Sequence, residues 1–302
     1  LDGIEKGVLL ISWSITPTEA MLKIYLLILL ITTLLFFSCS REASSQDQTA
    51  AFSKDEDGIY VETFPQGDSS INRFTRDNII YSLNREFVYD YYVLKDGRRL
   101  KIQSPSNIGP STDFQRAWEF VDILSTNSEK IEKISFKVLE GFTNTNQTKV
   151  QYKYYCNRGY SECQFYGTSG VIENKVNLWT HPHRDKYFMI LELNPFPFVQ
   201  QPLRIGNKWK WKLKIGEYWG DQRWKKWSGS ILNDYDYEIT GKEKLETKIG
   251  KIDCWIIRAK AVSSLGQTGL LAYFSESCGF MKLDFTNIDD THLVMEIVEI
   301  RN

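Results

Sequence analysis

The sequence predicts a mainly β protein: a curved antiparallel sheet, built as a sandwich or an incompletely closed barrel, with at most one or two short helices. Three observations carry this. From Gly58 onward most apolar residues alternate with polar ones, the period of a strand with one face in solvent. The chain holds 9 Trp, 16 Tyr and 17 Phe, rings that suit a pleated, half-buried surface. Turn signals punctuate the alternating runs, Asp96-Gly97 most clearly.

The N-terminal region reads as targeting rather than fold. Met21 and Lys23 precede an apolar run from Ile24 to Phe37, 14 residues long, softened only by Thr32 and Thr33. That length suits a signal-peptide core and is short of the ~20 residues a helical membrane span needs. The run ends in Phe36-Phe37-Ser38-Cys39, which resembles a bacterial lipobox, with Phe36 where leucine is usual. Residues 21–38 are therefore expected to be a lipoprotein signal peptide, and Cys39 the acylated anchor to a membrane. Each buried methylene of such an anchor contributes ~0.8 kcal/mol. Ser40 follows the cysteine where aspartate favours inner-membrane retention in similar lipoproteins, so the resemblance implies the outer membrane. Residues 1–20 are expected to be an over-extended start. Residues 39–58 are polar and poor in large apolar side chains, and read as a flexible tether. The β-rich region is expected to span 59–302, as one unit or as two halves meeting near 195–202.

Charge narrows the function classes. Removing residues 1–38 takes away two lysines and three acids from the 37 basic and 38 acidic residues, leaving a net charge of zero. Nucleic-acid binding relies on basic surface that displaces counterions, so nucleic acid is not an expected partner.

In chain order, IIYSLNREFVYDYYVLKDGRRLKI holds two strands about the Asp96-Gly97 turn. A helix is expected next. Phe114, Ala117, Trp118, Val121 and Leu124 follow helical spacing, and Thr112 and Gln115 have the spacing of a capping box. KISFKVLE and TKVQYKYY resume the strand pattern. LNPFPFVQQP, with Pro195, Pro197 and Pro202, cannot be a central strand and reads as an extended crossing. KWKWKLKIG sorts Trp209, Trp211, Leu213 and Ile215 to one face and four lysines to the other, which specifies register. Tyr235, Tyr237 and Ile239, then Ile252, Cys254 and Ile256, then Leu293, Met295 and Ile297 continue the alternation.

Four cysteines follow Cys39. An even number in an exported chain suggests two disulfides. YYCNRGYSECQFYG reads as a hairpin with Gly159 near its tip, which brings Cys156 to Cys163. A hairpin centred on Gly266 sets residue 254 opposite residue 278, which pairs Cys254 with Cys278.

From about residue 203 the layout runs G-x-x-W, Y-E-I-T-G-K-E, T-x-x-G with CWII, then YFSESCGFMKLDF and a final strand. This resembles the TapB-like group of exported bacterial β domains. The resemblance covers the last third of the chain and implies a curved antiparallel sheet of hairpins in an envelope protein. It implies no catalytic residues.

Two stretches could carry chemistry. In WTHPHR, Trp179 precedes His181, His183 and Arg184. Two histidines one residue apart could ligate a metal with Asp185, Glu192 or His292 as a further ligand, in a metal-dependent hydrolase. None has an identifying spacing, and Pro182 removes a ladder donor. The favoured expectation is no metal, no cofactor and a shaped scaffold edge that could form one wall of a cleft. In GEYWGDQRWKKWSGS, Trp219, Trp224 and Trp227 sit in a glycine-flanked polar loop. Such rings form a stacking platform for sugars or apolar ligands, or else cap the β core. No G-x-S-x-G elbow, paired-carboxylate pattern or calcium loop is present. The expectation is a membrane-anchored, non-enzymatic binding or envelope-assembly module for a glycan, a lipid or an envelope protein. A structural lipoprotein that holds partners through strand edges is the other alternative.

Overall fold

The computed structural model describes residues 51–54, 60–63, 78–105, 116–142, 147–157, 162–173 and 177–302, those at 51–54, 60–63, 142 and 162–166 by backbone alone. The signal peptide, Cys39 and most of the tether lie outside them. Two short strands, β1 (Ala51–Lys54) and β2 (Tyr60–Thr63), pair antiparallel in a small sheet of their own.

Every other strand belongs to one antiparallel sheet. β3 (Glu86–Lys95) and β4 (Arg98–Gln103) form a hairpin through Asp96 and Gly97, whose φ angles of 50° and 74° are those of a type I′ turn. The short β5 (Glu119–Asp122) lies against β4. β6 (Lys130–Phe142) pairs with both β4 and β3 and begins a meander through β7 (Thr148–Cys156), β8 (Glu162–Glu173) and β9 (Asn177–Thr180) to β10 (Phe198–Gln200). The chain then crosses to the opposite end of the sheet. There β11 (Lys208–Gly216), β12 (Ser230–Thr247), β13 (Gly250–Ser263), β14 (Gly266–Ser275), β15 (Gly279–Thr286) and β16 (His292–Arg301) meander back until β16 joins β3.

The sheet is not closed: its path begins at β10 and ends at β11, with no ladder between them among the described residues. Aromatic side chains bridge the two ends. Phe198 of β10 meets Trp209 of β11 at 5.8 Å and Tyr237 of β12 at 5.5 Å, while Trp179 of β9 meets Trp211 at 6.1 Å. Within the second end, Trp209 stacks on Tyr237 and Trp211 on Tyr235, as the register pairs them. The opposite face of β11 is a charge ladder, with Lys208, Lys210 and Lys212 each ion-paired to the acid directly across on β12. Bulges in β12 and β16 curve the sheet.

The concave interior is filled by the chain itself. Lys186–Leu193 forms a 3-10 helix in which every residue is buried. Six of its eight residues, Tyr187 to Leu191 and Leu193, are apolar, and a helix with so little polar face must be enclosed. Its tail is tied to the second half of the sheet: Asn233 Nδ2 and Thr268 Oγ1 donate to the Leu193 carbonyl at 3.1 and 2.7 Å. Asn194 Nδ2 donates to the Thr286 carbonyl at 2.9 Å. Near its start, the Tyr187 hydroxyl bonds to Thr291 and accepts from Asn287.

Two expectations need correction. The helix over 112–124 is not formed where the chain is described: Glu119–Asp122 is a strand laddered to β4, and the proposed cap lies outside the described residues. The ladder bonds to β4 outweigh the helical spacing, and the Phe120 ring packs on Trp118 and Tyr187 instead of along a helix stripe. Cys254 and Cys278 are free thiols. The β13–β14 turn is tighter than a loop centred on Gly266, since Ser263 pairs directly with Gly266. Cys278 therefore falls in the β14–β15 turn, beyond the last ladder residue Ser275. Cys156 is not among the free thiols, and the side chain of its expected partner Cys163 lies outside the described residues. Burial, with the nearby Cys278 thiol adding to it, pushes Cys254 up to about 12. In the folded protein, iodoacetamide at mildly alkaline pH should modify Cys278 and spare Cys254 until denaturant is added; peptide mapping reads both.

Candidate functional site

WTHPHR leads from the sheet into the interior. Trp179 and Thr180 belong to β9, and residues 181–185 turn inward to the 3-10 helix. The stretch is thus an entry to the core rather than a scaffold edge, and His183 is buried. Asp185, extended at φ −107°, and Lys186, left-handed at φ 58°, set the change of direction. Buried partners hold it: the Tyr154 hydroxyl donates to Asp185 Oδ2 at 2.9 Å, and Lys186 Nζ donates to the Ala117 carbonyl at 2.9 Å. Burial, opposed by Asp185, pulls the Lys186 ammonium down to about 8.

The two histidines do different work. His181 Nδ1 lies 2.8 Å from the Pro182 carbonyl, and His183 Nε2 lies 3.2 Å from the Ser135 carbonyl. A carbonyl only accepts, so His181 carries its proton on Nδ1 and His183 on Nε2. His183 packs against Tyr152 at 4.5 Å and serves the core. His181 is left with Nε2 as an acceptor, 3.4 Å from Glu192 Oε1. Burial holds both imidazoles neutral, at about 3 for His181, with Arg184 adding to the effect, and about 4 for His183. Burial raises the Glu192 carboxyl to about 7, against the pull of Arg184. A protonated Glu192 facing a neutral imidazole is a polar contact between neutral groups, not an ion pair.

Arg184 connects this interior to the surface. Its Nε lies 3.7 Å from Glu192 Oε1, its Nη2 donates to Ser169 Oγ at 3.1 Å, and its guanidinium sits 5.5 Å from the centre of the Trp219 ring. The side chain keeps 30 % of its surface exposed, against 4 % for Glu192. Arg184 and Trp219 therefore form the outward part of the cluster.

The tryptophan loop divides. A short 3-10 turn, Glu217–Trp219, precedes a bridge between Asp221 and Lys225. Gly220 sits where a Cβ would come within 3.3 Å of the Trp227 ring and the Lys225 carbonyl, so the loop folds tightly on itself. Trp224 is turned inward, stacked on Trp118 at 6.2 Å and edge-on to Tyr187. Arg223 lies over Trp118 at 4.0 Å and bonds to Asp221 and to the Trp118 carbonyl, which locks this side of the loop to the core. Trp219 and Trp227 are only partly buried. Of the tryptophans named from sequence, Trp179 and Trp224 are core residues and Trp219 alone meets Arg184.

The potential metal ligands are not gathered. Among the described residues no three His, Cys, Asp or Glu side chains converge. His292 stands on β16 beside Asp284, and His183 spends Nε2 on a carbonyl. Lys186 was not visible as special in the sequence, because nothing in its neighbours marks a lysine about to be enclosed.

No family model matches the chain, and no curated protein matches it. The TapB-like resemblance thus rests on glycine and aromatic spacing alone. Solved structures similar to the chain include a protein assigned as a lipoprotein from Parabacteroides distasonis ATCC 8503, at 12 % identity over 74 % of this chain and 97 % of that one, with a TM-score of 0.39. A second is assigned as an exported protein with a YmcC-like fold from Bacteroides fragilis NCTC 9343, at 8 % identity over 74 % and 98 %, TM-score 0.38. A third is the hypothetical lipoprotein YmcC from Escherichia coli K12, at 12 % identity over 78 % and 99 %, TM-score 0.27. Among the described residues no helix is long and apolar enough to cross a membrane.

Proposed function

We propose that this chain is an envelope lipoprotein, anchored by acylated Cys39 in the outer membrane, whose β body is a non-enzymatic binding module. The lipobox-like ending of the apolar run supports the anchor, and the TapB-like layout of the last third agrees with an envelope β domain. The observation that carries the binding role is the Arg184 guanidinium set against the Trp219 ring, partly open to solvent and backed by buried Glu192. A flat ring beside a fixed cation suits an envelope glycan or lipid headgroup that offers both an apolar face and an anionic group.

Tryptophan fluorescence titrated with envelope glycans and lipids tests this. Trp219→Ala and Arg184→Ala are each expected to weaken binding by about tenfold, the loss of one good aromatic or charged contact, with the fold retained. Unchanged affinity in both variants would reject these residues as the site. Trp224→Ala is not a usable probe, because that ring belongs to the core.

A further inference from the structure

A cleft lies between the β8–β10 end of the sheet and β14, and neither Arg184 nor Trp219 lines it. Its volume is about 230 Å³. The floor is apolar: Ile80, Leu178 of β9, Val199 of β10 and Phe274 of β14. The first three come from the β3 and β10 side, and Phe274 comes from the second half of the sheet. At the mouth, Ile79 is 74 % exposed although it is a large apolar side chain.

The cleft is pre-formed. Glu173 of β8 accepts the backbone N–H groups of Ile79, Ile80 and Tyr81 at 2.8, 3.0 and 2.8 Å. Arg85 donates to the Ile79 and Ile80 carbonyls at 3.2 and 3.1 Å and to the Ser277 carbonyl at 3.4 Å. These bonds tie the lip to β8 on one side and to the β14–β15 turn on the other. A site already ordered loses little conformational entropy when it binds.

The rim has one sign of charge. The lining includes the Glu173 and Glu276 carboxyls and the Asn177 and Gln201 amides, and no basic group. Arg85 lies outside the lining, with its Nη1 and Nη2 groups donating to the Ile79, Ile80 and Ser277 carbonyls. Trp255 Nε1 donates to Glu276 Oε1 at 2.9 Å, which fixes that carboxylate in place. An apolar floor under a rim of fixed carboxylates complements a molecule with a hydrocarbon tail and a positive head.

We propose that this cleft binds the tail of a single-chain amphiphile with a protonated amine head, the head resting against Glu276. The site does not depend on the Arg184–Trp219 reading, and either can fail alone.

Photo-crosslinking of the full chain in isolated membranes tests it, with a decylammonium probe carrying a diazirine near the tail end and a decanoate probe of equal length. Peptides holding Ile79 and Val199 should be labelled by the ammonium probe, and about fivefold less by the carboxylate, the size expected of one partly exposed ion pair. Glu276→Gln should lower the ammonium labelling by a similar factor. Because Ile79 is exposed, Ile79→Ser should fold normally and lower labelling by both probes. Equal labelling by the two probes, labelling scattered over the outer sheet face, or an unchanged pattern in Glu276→Gln would overturn the proposal.

Discussion

Phe188→Ala should lower the free energy of unfolding by about 3–5 kcal/mol, the range found when a large ring is removed from a packed core. Phe188 is fully buried in the internal 3-10 helix. Its ring lies 5.2 Å from Tyr91 of β3, 6.0 Å from Tyr154 of β7 and 5.8 Å from His183. The cavity would open between two strands and the segment that feeds the helix. All three neighbours are pinned by their own hydrogen bonds, Tyr91 to the Ile131 carbonyl at 3.0 Å among them, so the site has little freedom to collapse. Urea titration reads the change as a lower midpoint at unchanged slope. A loss below about 1 kcal/mol would mean that the helix does not fill the sheet as described.

Glu192→Gln should change how stability depends on pH. His181 and His183 stay neutral in the folded chain down to about 3 and about 4, whereas the unfolded chain protonates them below the ordinary 6.5. Their contribution is complete above 6.5 and is lost as pH falls toward those lower values. Glu192 acts the other way: held protonated up to about 7, it contributes fully below its ordinary 4.5 and loses that contribution as pH rises through 7. Between those two ordinary values the unfolded chain gains two protons on the histidines while the folded chain keeps one on Glu192. These three groups together should make stability rise with pH by about 1.4 kcal/mol per unit. Removing the carboxyl leaves only the histidines and about doubles that slope. The difference between variant and parent isolates Glu192 from every other titrating group. It should grow from pH 4.5 to 7 and level off at about 3 kcal/mol in favour of the variant. A difference independent of pH, from urea midpoints at several pH values, would show that Glu192 ionises freely in the folded chain.

Much of the sheet could be read directly because its strands have one buried face each. KWKWKLKIG announces both faces of β11, and the register with β12 then sets rings on rings and lysines on acids. Asp96-Gly97 marks its turn because both positions take positive φ, which few other residues tolerate. Leu293, Met295 and Ile297 alternate along β16 and are all buried. The signal fails where a segment has no solvent face. KYFMILEL contains no period at all, and a short apolar run is equally compatible with a buried strand or a buried helix. Trp118 to Leu124 misleads for the opposite reason: its apolar spacing imitates a helix, but backbone bonds to β4 decide the conformation.

The site was legible only as a list of residue types. His181, His183 and Arg184 are adjacent in the chain, yet their partners come from Ser135 on β6, Ser169 on β8, Glu192 at the end of the internal helix and Trp219 in a later loop. Likewise, Trp219 and Trp224 look alike in a glycine-flanked loop. The Asp221–Lys225 bridge and the Arg223 contacts turn one inward and leave the other partly open.

By itself, then, the amino-acid order determined the strand character, the hairpin turns, the sorted faces and an apolar N-terminal run ending at Cys39. These depend on the chemistry of neighbours one or two positions apart. The filling of the sheet by residues 186–193, the neutral acid–imidazole contact, the choice of Trp219 over Trp224 and the shift that frees Cys254 and Cys278 were decided by tertiary structure alone. Each depends on which distant groups share a low-dielectric interior, and burial there outweighs the local preferences that a sequence displays.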